Sequence, residues 1–464
     1  MNSPDNSQLN KTVLMAVTMT SNFFNPLMGA AVNIALPKIG LEFSLDAVMI
    51  SWITMAYLLA SAVFLVPLGK IGDMWGRKKM FLYGTIFFGF ATILCAVAFS
   101  GNFLIAGRFL QGIGSAMMYS TSMAIVISAF PPSERGIVIG LNVSAVYVGL
   151  SAAPILGGIL TQTLGWRSLF IINAVISLLI TIAIIIYIKT EWVESENDKF
   201  DWVGALVYIP SMSALMFGFS KLPTPLAIFF TVAGIIGIII FVLIELKHPF
   251  PVLNMKLFFD NMVFASSNLS AFINYAATFA VSFVLSLYLQ YSKHLTPKEA
   301  GMVLITQPVL MALVAVFSGR LSDKVNPRWL ASAGMGISVI GLLLLSYIEA
   351  DTSHTFIVIS LAILGLGFGL FSSPNTNMVM SSVQPRYYGI ASATLSTMRT
   401  TGMMFSMAIA SLSVHIFLGN QKINDSNIES FIHSSKVVFI VFTVLCIIGM
   451  FSSFVGKKSL KVNV

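Results

Sequence analysis

Gly69-Lys70-Ile71-Gly72-Asp73-Met74-Trp75-Gly76-Arg77-Lys78-Lys79 stands between two long apolar runs, and a weaker copy, Gly319-Arg320-Leu321-Ser322-Asp323-Lys324, follows 250 residues later. A short polar segment bounded by apolar runs reads as the joint between two membrane helices, because the backbone can leave the helical ladder only where water or protein satisfies it. Arg77, Lys78 and Lys79 suit a joint on the basic side of a membrane. The remaining spacing asks for more. Gly69 and Gly76 allow a tight turn and close helix approach, and Asp73 is placed to accept hydrogen bonds from a helix N-terminus and to pair with Arg77.

Composition points the same way. Of 464 residues, 57% are hydrophobic and 9% charged, against roughly a quarter charged in soluble domains. About 20 apolar residues in a helix cross a hydrocarbon core of ~30 Å. Runs of that kind lie near 12–36, 47–69, 79–99, 102–127, 137–161, 168–189, 202–220, 225–245, 262–291, 299–319, 329–348, 355–379, 390–417 and 436–456. They predict an all-α integral membrane protein of fourteen spans. Alternating the joints puts about 17 Lys and Arg on the N-terminal side and about 7 on the other, so both termini are expected in the cytosol and the protein in the cell membrane. The net charge of +8 follows from this bias and gives little support to nucleic-acid binding.

Catalytic and nucleotide chemistry find no foothold. The five histidines are scattered near span ends, no carboxylate or Cys cluster has catalytic or metal-ligand spacing, and no Gly-rich loop ends in Lys-Ser or Lys-Thr. An enzyme, a resident metal and direct ATP drive are therefore not expected. Cys95 and Cys446 fall in separate predicted helices and read as free packing thiols.

The repeat extends beyond the joint. Gly112, Gly114, Pro132 and Gly136 recur 253 residues on as Gly365, Gly367, Pro385 and Gly389. Two six-helix bundles related by a pseudo-twofold axis explain this, residues 1–194 and 256–464, with an unpaired two-helix hairpin inserted over 195–255. Such halves, rocking about a midplane site, are a recurring transporter plan. The Asp73 joint, with Gly69, Gly76, Arg77 and its counterpart Asp323, is then expected to be a latch that holds one conformation.

At this point a family resemblance is carried by specific residues. Gly69-x-x-x-Asp73-x-x-Gly76-Arg77-Lys78-Lys79 resembles the loop signature of the major facilitator superfamily, and Arg108-x-x-Gln111-Gly112 its fourth-helix motif. Gly149-x-x-x-Ala153-Pro154-x-x-Gly157-Gly158 is similar to the antiporter motif, with Ala153 where glycine is usual. Val32-Asn33-Ile34-Ala35-Leu36-Pro37, the unpaired hairpin and Arg399 after Gly389-Ile390-Ala391-Ser392 resemble the fourteen-span drug:proton antiporter branch. The resemblance implies efflux of drug-like small molecules by alternating access, with H+ as coupling ion, no bound cofactor, and a monomer in the bilayer.

Polar residues inside the spans mark candidate contacts. Arg108 and Arg399 are the two mid-span charges, and intramembrane charge is a functional hypothesis by default. Helical spacing groups Arg108, Gln111, Ser115, Tyr119 and Ser122 on one face, and Asn22, Asn25 and Asn33 on another. Both faces are expected to turn inward, the first toward a wet cavity; for Arg108 a structural hub bonded to carbonyls is the alternative. Met28, Asn268, Tyr275 and Asn375 are candidate cargo contacts, with Ser373-Pro374-Asn375-Thr376-Asn377 expected to break its span.

The resemblance also exposes a departure. Aligned on Val32 to Pro37, Met28 stands where the related antiporters carry an aspartate, and none of the 18 acidic residues falls mid-span. A buried carboxylate is what balances a cationic cargo and carries a proton. An exporter or flippase of a neutral or anionic metabolite or lipid therefore stands beside the proton-driven drug exporter.

Overall fold

A computed structural model describes residues 11–194, 199–249, 251–253, 255–322, 324–384 and 388–454. The described residues fold as a succession of helices: α1 (Lys11–Glu42), α2 (Ala47–Trp75), α3 (Arg77–Ala96), α4 (Gly101–Ala129), α5 (Pro132–Thr163), α6 (Arg167–Tyr187), α7 (Trp202–Ser220), α8 (Pro225–Glu245), α9 (Lys256–Asp260), α10 (Met262–Thr278), α11 (Val281–Leu287), α12 (Pro297–Leu304), α13 (Thr306–Ser322), α14 (Pro327–Leu345), α15 (His354–Ser381), α16 (Tyr388–Leu418) and α17 (Ile428–Phe454). Among the described residues thirteen helical stretches are long and apolar enough to cross a membrane. The fourteenth expected span, α1, has the length at 32 residues but is not among the thirteen, because its Asn, Ser and Thr side chains dilute its apolarity.

The sequence repeat is a packing repeat. A methyl group on Gly112 would collide with the Tyr57 carbonyl of α2, and one on Gly365 with the Gln307 carbonyl of α13. On their other flank, a methyl on Gly114 would lie 2.7 Å from the Phe88 nitrogen and one on Gly367 2.6 Å from the Ser338 nitrogen. Each half thus presses its α4-type helix against bare backbone of the two helices beside it, a contact only small residues permit and one that membrane helices use in place of hydrophobic drive.

Two expected spans are broken and one expected break is absent. The ninth span divides at Phe279 and Ala280 into α10 and α11, then closes in a π-helical turn, Tyr288–Ser292. The Ser406 hydroxyl of α16 accepts the Ala280 N–H at 2.9 Å, which satisfies backbone freed at the break. The tenth divides at Ile305 because Pro308 has no N–H for the Leu304 carbonyl one turn earlier. By contrast α15 runs unbroken through Pro374, so the expectation of a break there is corrected; the Ser373 hydroxyl bonds the Ala315 carbonyl of α13 at 2.9 Å and holds the region to its neighbour.

The inserted pair sits on one flank of the bundle. α7 and α8 pack on each other, and α7 also touches α2 of the first half and α16 of the second. Aromatic contacts mark both edges: Trp52 with Phe217 at 6.0 Å and Phe405 with Phe219 at 6.2 Å. Outward, α8 shows Phe229, Val232, Ile235, Ile236, Ile239 and Leu243, the surface lipid favours.

Candidate functional site

The Asp73 joint folds as a stitched corner. Gly76 has φ +123°, a region open to glycine, and the Glu191 carboxyl group occupies the space a side chain there would need, 2.6 Å from a methyl carbon. Glu191 takes the place expected of Asp73: its carboxylate caps the N-terminus of α3, accepting from Lys78 N at 2.8 Å and Lys79 N at 3.3 Å. Asp73 pairs with Arg77, Oδ1 to Nε 2.7 Å. The buried Arg77 guanidinium also donates to Ser128 at 2.6 Å and reaches Glu194 at 3.1 Å. Main-chain bonds complete the strap, Arg77 N to Trp192 O at 2.8 Å and Glu194 N to Asp73 O at 3.0 Å. The expected second member of the latch, Asp323, lies outside the described residues.

At the opposite end of the bundle, which bears Glu42, the two halves are fastened together. Ser51 donates to Ser411 at 2.8 Å and Ala47 N to Gln421 O at 3.1 Å. Ser286 donates to the Asn33 carbonyl at 2.8 Å, and Gln290 to the Ile34 carbonyl at 3.0 Å. The antiporter-motif segment belongs to this seam. Gly149 and Gly157 lie on α1 of their own half, whereas Gly158 meets Pro297 and Lys298, and Gly301 meets the Pro154 carbonyl, across the seam. Farther toward the midplane, Ser151 donates to the Pro308 carbonyl at 3.0 Å, and the Tyr147 and Ser372 hydroxyls pair.

On the same end, Glu42 binds the Trp166 indole N–H at 2.7 Å and Arg167 at 2.7 Å. Partial burial pushes its carboxyl pKa up, but the Trp166 and Arg167 contacts outweigh this and leave it below the ordinary value.

Arg108 is 2% exposed and lies inside the first half, not on an aqueous face. Its Nε donates to the Ile53 carbonyl at 3.2 Å, its Nη1 bonds Gln111, and its plane lies 4.3 Å from the Tyr57 ring centroid. Gln111 donates onward to Thr92 at 2.7 Å, and Tyr57 pairs with Ser115 at 2.8 Å. This hub bolts α2, α3 and α4 together, the structural alternative raised for Arg108. Tyr119, further along α4, is half-buried.

The first-helix asparagines do not share one site. Asn22 donates to Asn142 of α5 at 2.9 Å, with Ser122 at 3.5 Å; Asn33 accepts from Thr54 at 2.8 Å; Asn25 faces a small void shared with Asn173 and Phe88. Met28 is buried. In the second half Asn268 donates to the Phe264 carbonyl at 2.9 Å, and Asn375 is fully buried with no hydrogen bond on either amide atom.

Arg399 is different. It is half-buried, donates to Thr376 at 2.6 Å and lies 5.7 Å from the Tyr275 ring centroid; its buried Nε, like Nη2 of Arg108, has no hydrogen-bond partner. Tyr275 packs edge-on against Phe368 at 5.1 Å. The group presents a cation, hydroxyls and aromatic faces together. Sequence reasoning missed Glu191, Glu194, Asn142 and Tyr147. For Asn142 an asparagine within an apolar run was a usable signal, whereas the glutamates follow α6 in a joint whose folded course no local pattern reveals.

Two helical bundles that meet along a seam, each with polar groups buried between its membrane helices, define a multi-pass membrane transporter. The chain belongs to the Major Facilitator Superfamily, whose model matches residues 18–203 and 268–462. It is similar to the riboflavin transporter RibZ of Clostridioides difficile (strain 630), 29% identical over 445 residues, covering 95% of this chain and 96% of that one. Multidrug resistance protein 3 of Bacillus subtilis (strain 168) is 31% identical over 394 residues, 81% of this chain and 74% of its own. A solved bacterial homolog of the human lysosomal transporter Spinster, inward-facing and unoccupied, shares the fold with a TM-score of 0.63 at 17% identity, covering 96% of both chains.

Proposed function

We propose that this transporter exports amphipathic, drug-like molecules by alternating access, in exchange for protons, with the Asp73 corner in the cytosol. The observation that carries the reading is the seam. The halves are fastened at the Glu42 end through hydrogen bonds and bare backbone at Gly158 and Gly301, a contact that can part as a unit, while the Asp73 corner keeps its own half rigid during the motion. Relatives concerned with multidrug resistance support drug-like cargo. A second reading is favoured by Arg399 with Tyr275: a neutral or anionic planar cargo, the class to which the riboflavin of the RibZ relative belongs.

Purified protein in liposomes tests both. With an imposed pH gradient and then a potential, cationic, neutral and anionic fluorescent compounds, riboflavin among them, are followed across the membrane. Proton antiport requires that uptake follow the pH gradient; uptake indifferent to it rejects that drive. Transport confined to cations rejects the second reading.

A further inference from the structure

Asp201 and Glu245 are the acidic residues buried among the described residues, each 1% exposed, and they stand side by side at the root of the inserted hairpin. Asp201 caps α7, its Oδ1 accepting from Gly204 N at 2.8 Å. Glu245 ends α8, its Oε2 accepting from Leu253 N at 3.0 Å. The other oxygen of each carboxyl group, Asp201 Oδ2 and Glu245 Oε1, has no hydrogen-bond partner. Both converge on one point above Gly204, 2.5 Å and 2.6 Å from where a methyl carbon would stand, so the two oxygens lie within about 5 Å of each other.

Two negative charges at that separation, out of water, repel each other and lose solvation. The helix ends treat them unequally. The positive N-terminus of α7 favours charge on Asp201, and the negative C-terminus of α8 disfavours it on Glu245. We propose that this pair is a proton-binding site that holds one proton at neutral pH, carried on Glu245. His248, its Nδ1 3.6 Å from Asp201 Oδ2 and its side chain 29% exposed, is the titratable group that faces the pair and its route to water. Leu253 N and Val252 N face Glu245. On the helices packed against α7, the charged or titratable acid and base residues are Lys70 and Asp73 of α2 and Arg399 and His415 of α16; Asp73 is engaged by Arg77 and Arg399 by Thr376. Release of the proton places a second negative charge at the joint of α7 and α8, which drives their ends apart where the chain enters and leaves the hairpin. The proposal is independent of what the protein carries and of its drive.

Infrared spectroscopy of the full-length protein in nanodiscs, titrated between about pH 5 and pH 9, reads the proton directly. The expected result is a protonated-carboxyl carbonyl band at neutral pH that shifts in protein labelled with carboxyl-carbon-13 glutamate and disappears as pH rises. Glu245→Gln should lose it, and Asp201→Asn should move its titration to lower pH because the neighbouring charge is gone. Absence of the band at neutral pH, its persistence in Glu245→Gln, or a midpoint unmoved by Asp201→Asn overturns the proposal. Should a variant fail to fold, the labelled wild-type protein decides: a glutamate band that titrates away supports the site, and none at neutral pH overturns it.

Discussion

Ser51 and Ser411, 360 residues apart in the chain, share a hydrogen bond of 2.8 Å across the seam between the halves. Cysteines at both positions are close enough to form a disulfide with little backbone movement. The double variant Ser51→Cys/Ser411→Cys should lose transport on oxidation and regain it with reductant, while each single variant keeps it. Cys95 and Cys446 are buried and free, so the background is silent. Transport by the fully oxidised double variant would show that this end does not open.

Gly76 carries both a positive φ and a neighbour in its side-chain space. Gly76→Ala should destabilise the corner by about 1–3 kcal/mol, seen as a lower unfolding temperature in detergent. Glu191→Gln keeps the shape and weakens only the charge–dipole cap, so it should cost less, about 0.3–1 kcal/mol.

Arg108 is a planar fork between Ile53, Gln111 and Tyr57. Arg108→Ala strands buried acceptors at about 1–3 kcal/mol each and should lower folded yield. Arg108→Lys should rescue poorly, because an ammonium cannot reproduce the fork or the stacking. Normal yield with abolished transport in Arg108→Ala would assign the residue to coupling instead.

Arg399→Gln should leave folding nearly intact, since the side chain is half-buried and donates to the Thr376 hydroxyl rather than to a buried carboxylate. It should reduce transport of anionic compounds at least tenfold relative to neutral ones, a difference of about 1.4 kcal/mol. Equal loss for both classes would remove charge recognition from this residue.

Glu42 supplies a pH test. Its folded-state pKa is lowered, so its contacts with Trp166 and Arg167 stabilise the protein above the ordinary carboxylate value and are lost as pH falls through that value and below. The difference in unfolding temperature between wild type and Glu42→Gln should be largest at neutral pH and shrink below about pH 4. The effect should be small, because both Glu42 and Arg167 are partly exposed.

The architecture was legible where physics acts locally. Apolar run length marked the helices, and Gly112 with Gly365 marked the repeat because close packing admits the same small residue at equivalent places. Side-chain partners were less so. The reach of Glu191 back to the N-terminus of α3 depends on the path of a whole joint, and Asn22 with Asn142 depends on how α1 lies on α5. Helical spacing places Asn22, Asn25 and Asn33 on one face of α1 but does not divide that face among α2, α5 and α6.

The hairpin breaks a symmetry that the repeat establishes. The seam has two flanks, equivalent if the halves were all there was; α7 stands against one, bridging α2 and α16, while the other is formed by α5 with α12 and α13. Hydrocarbon tails therefore meet two unlike flanks, one covered by an added helix pair and one formed by the two halves alone.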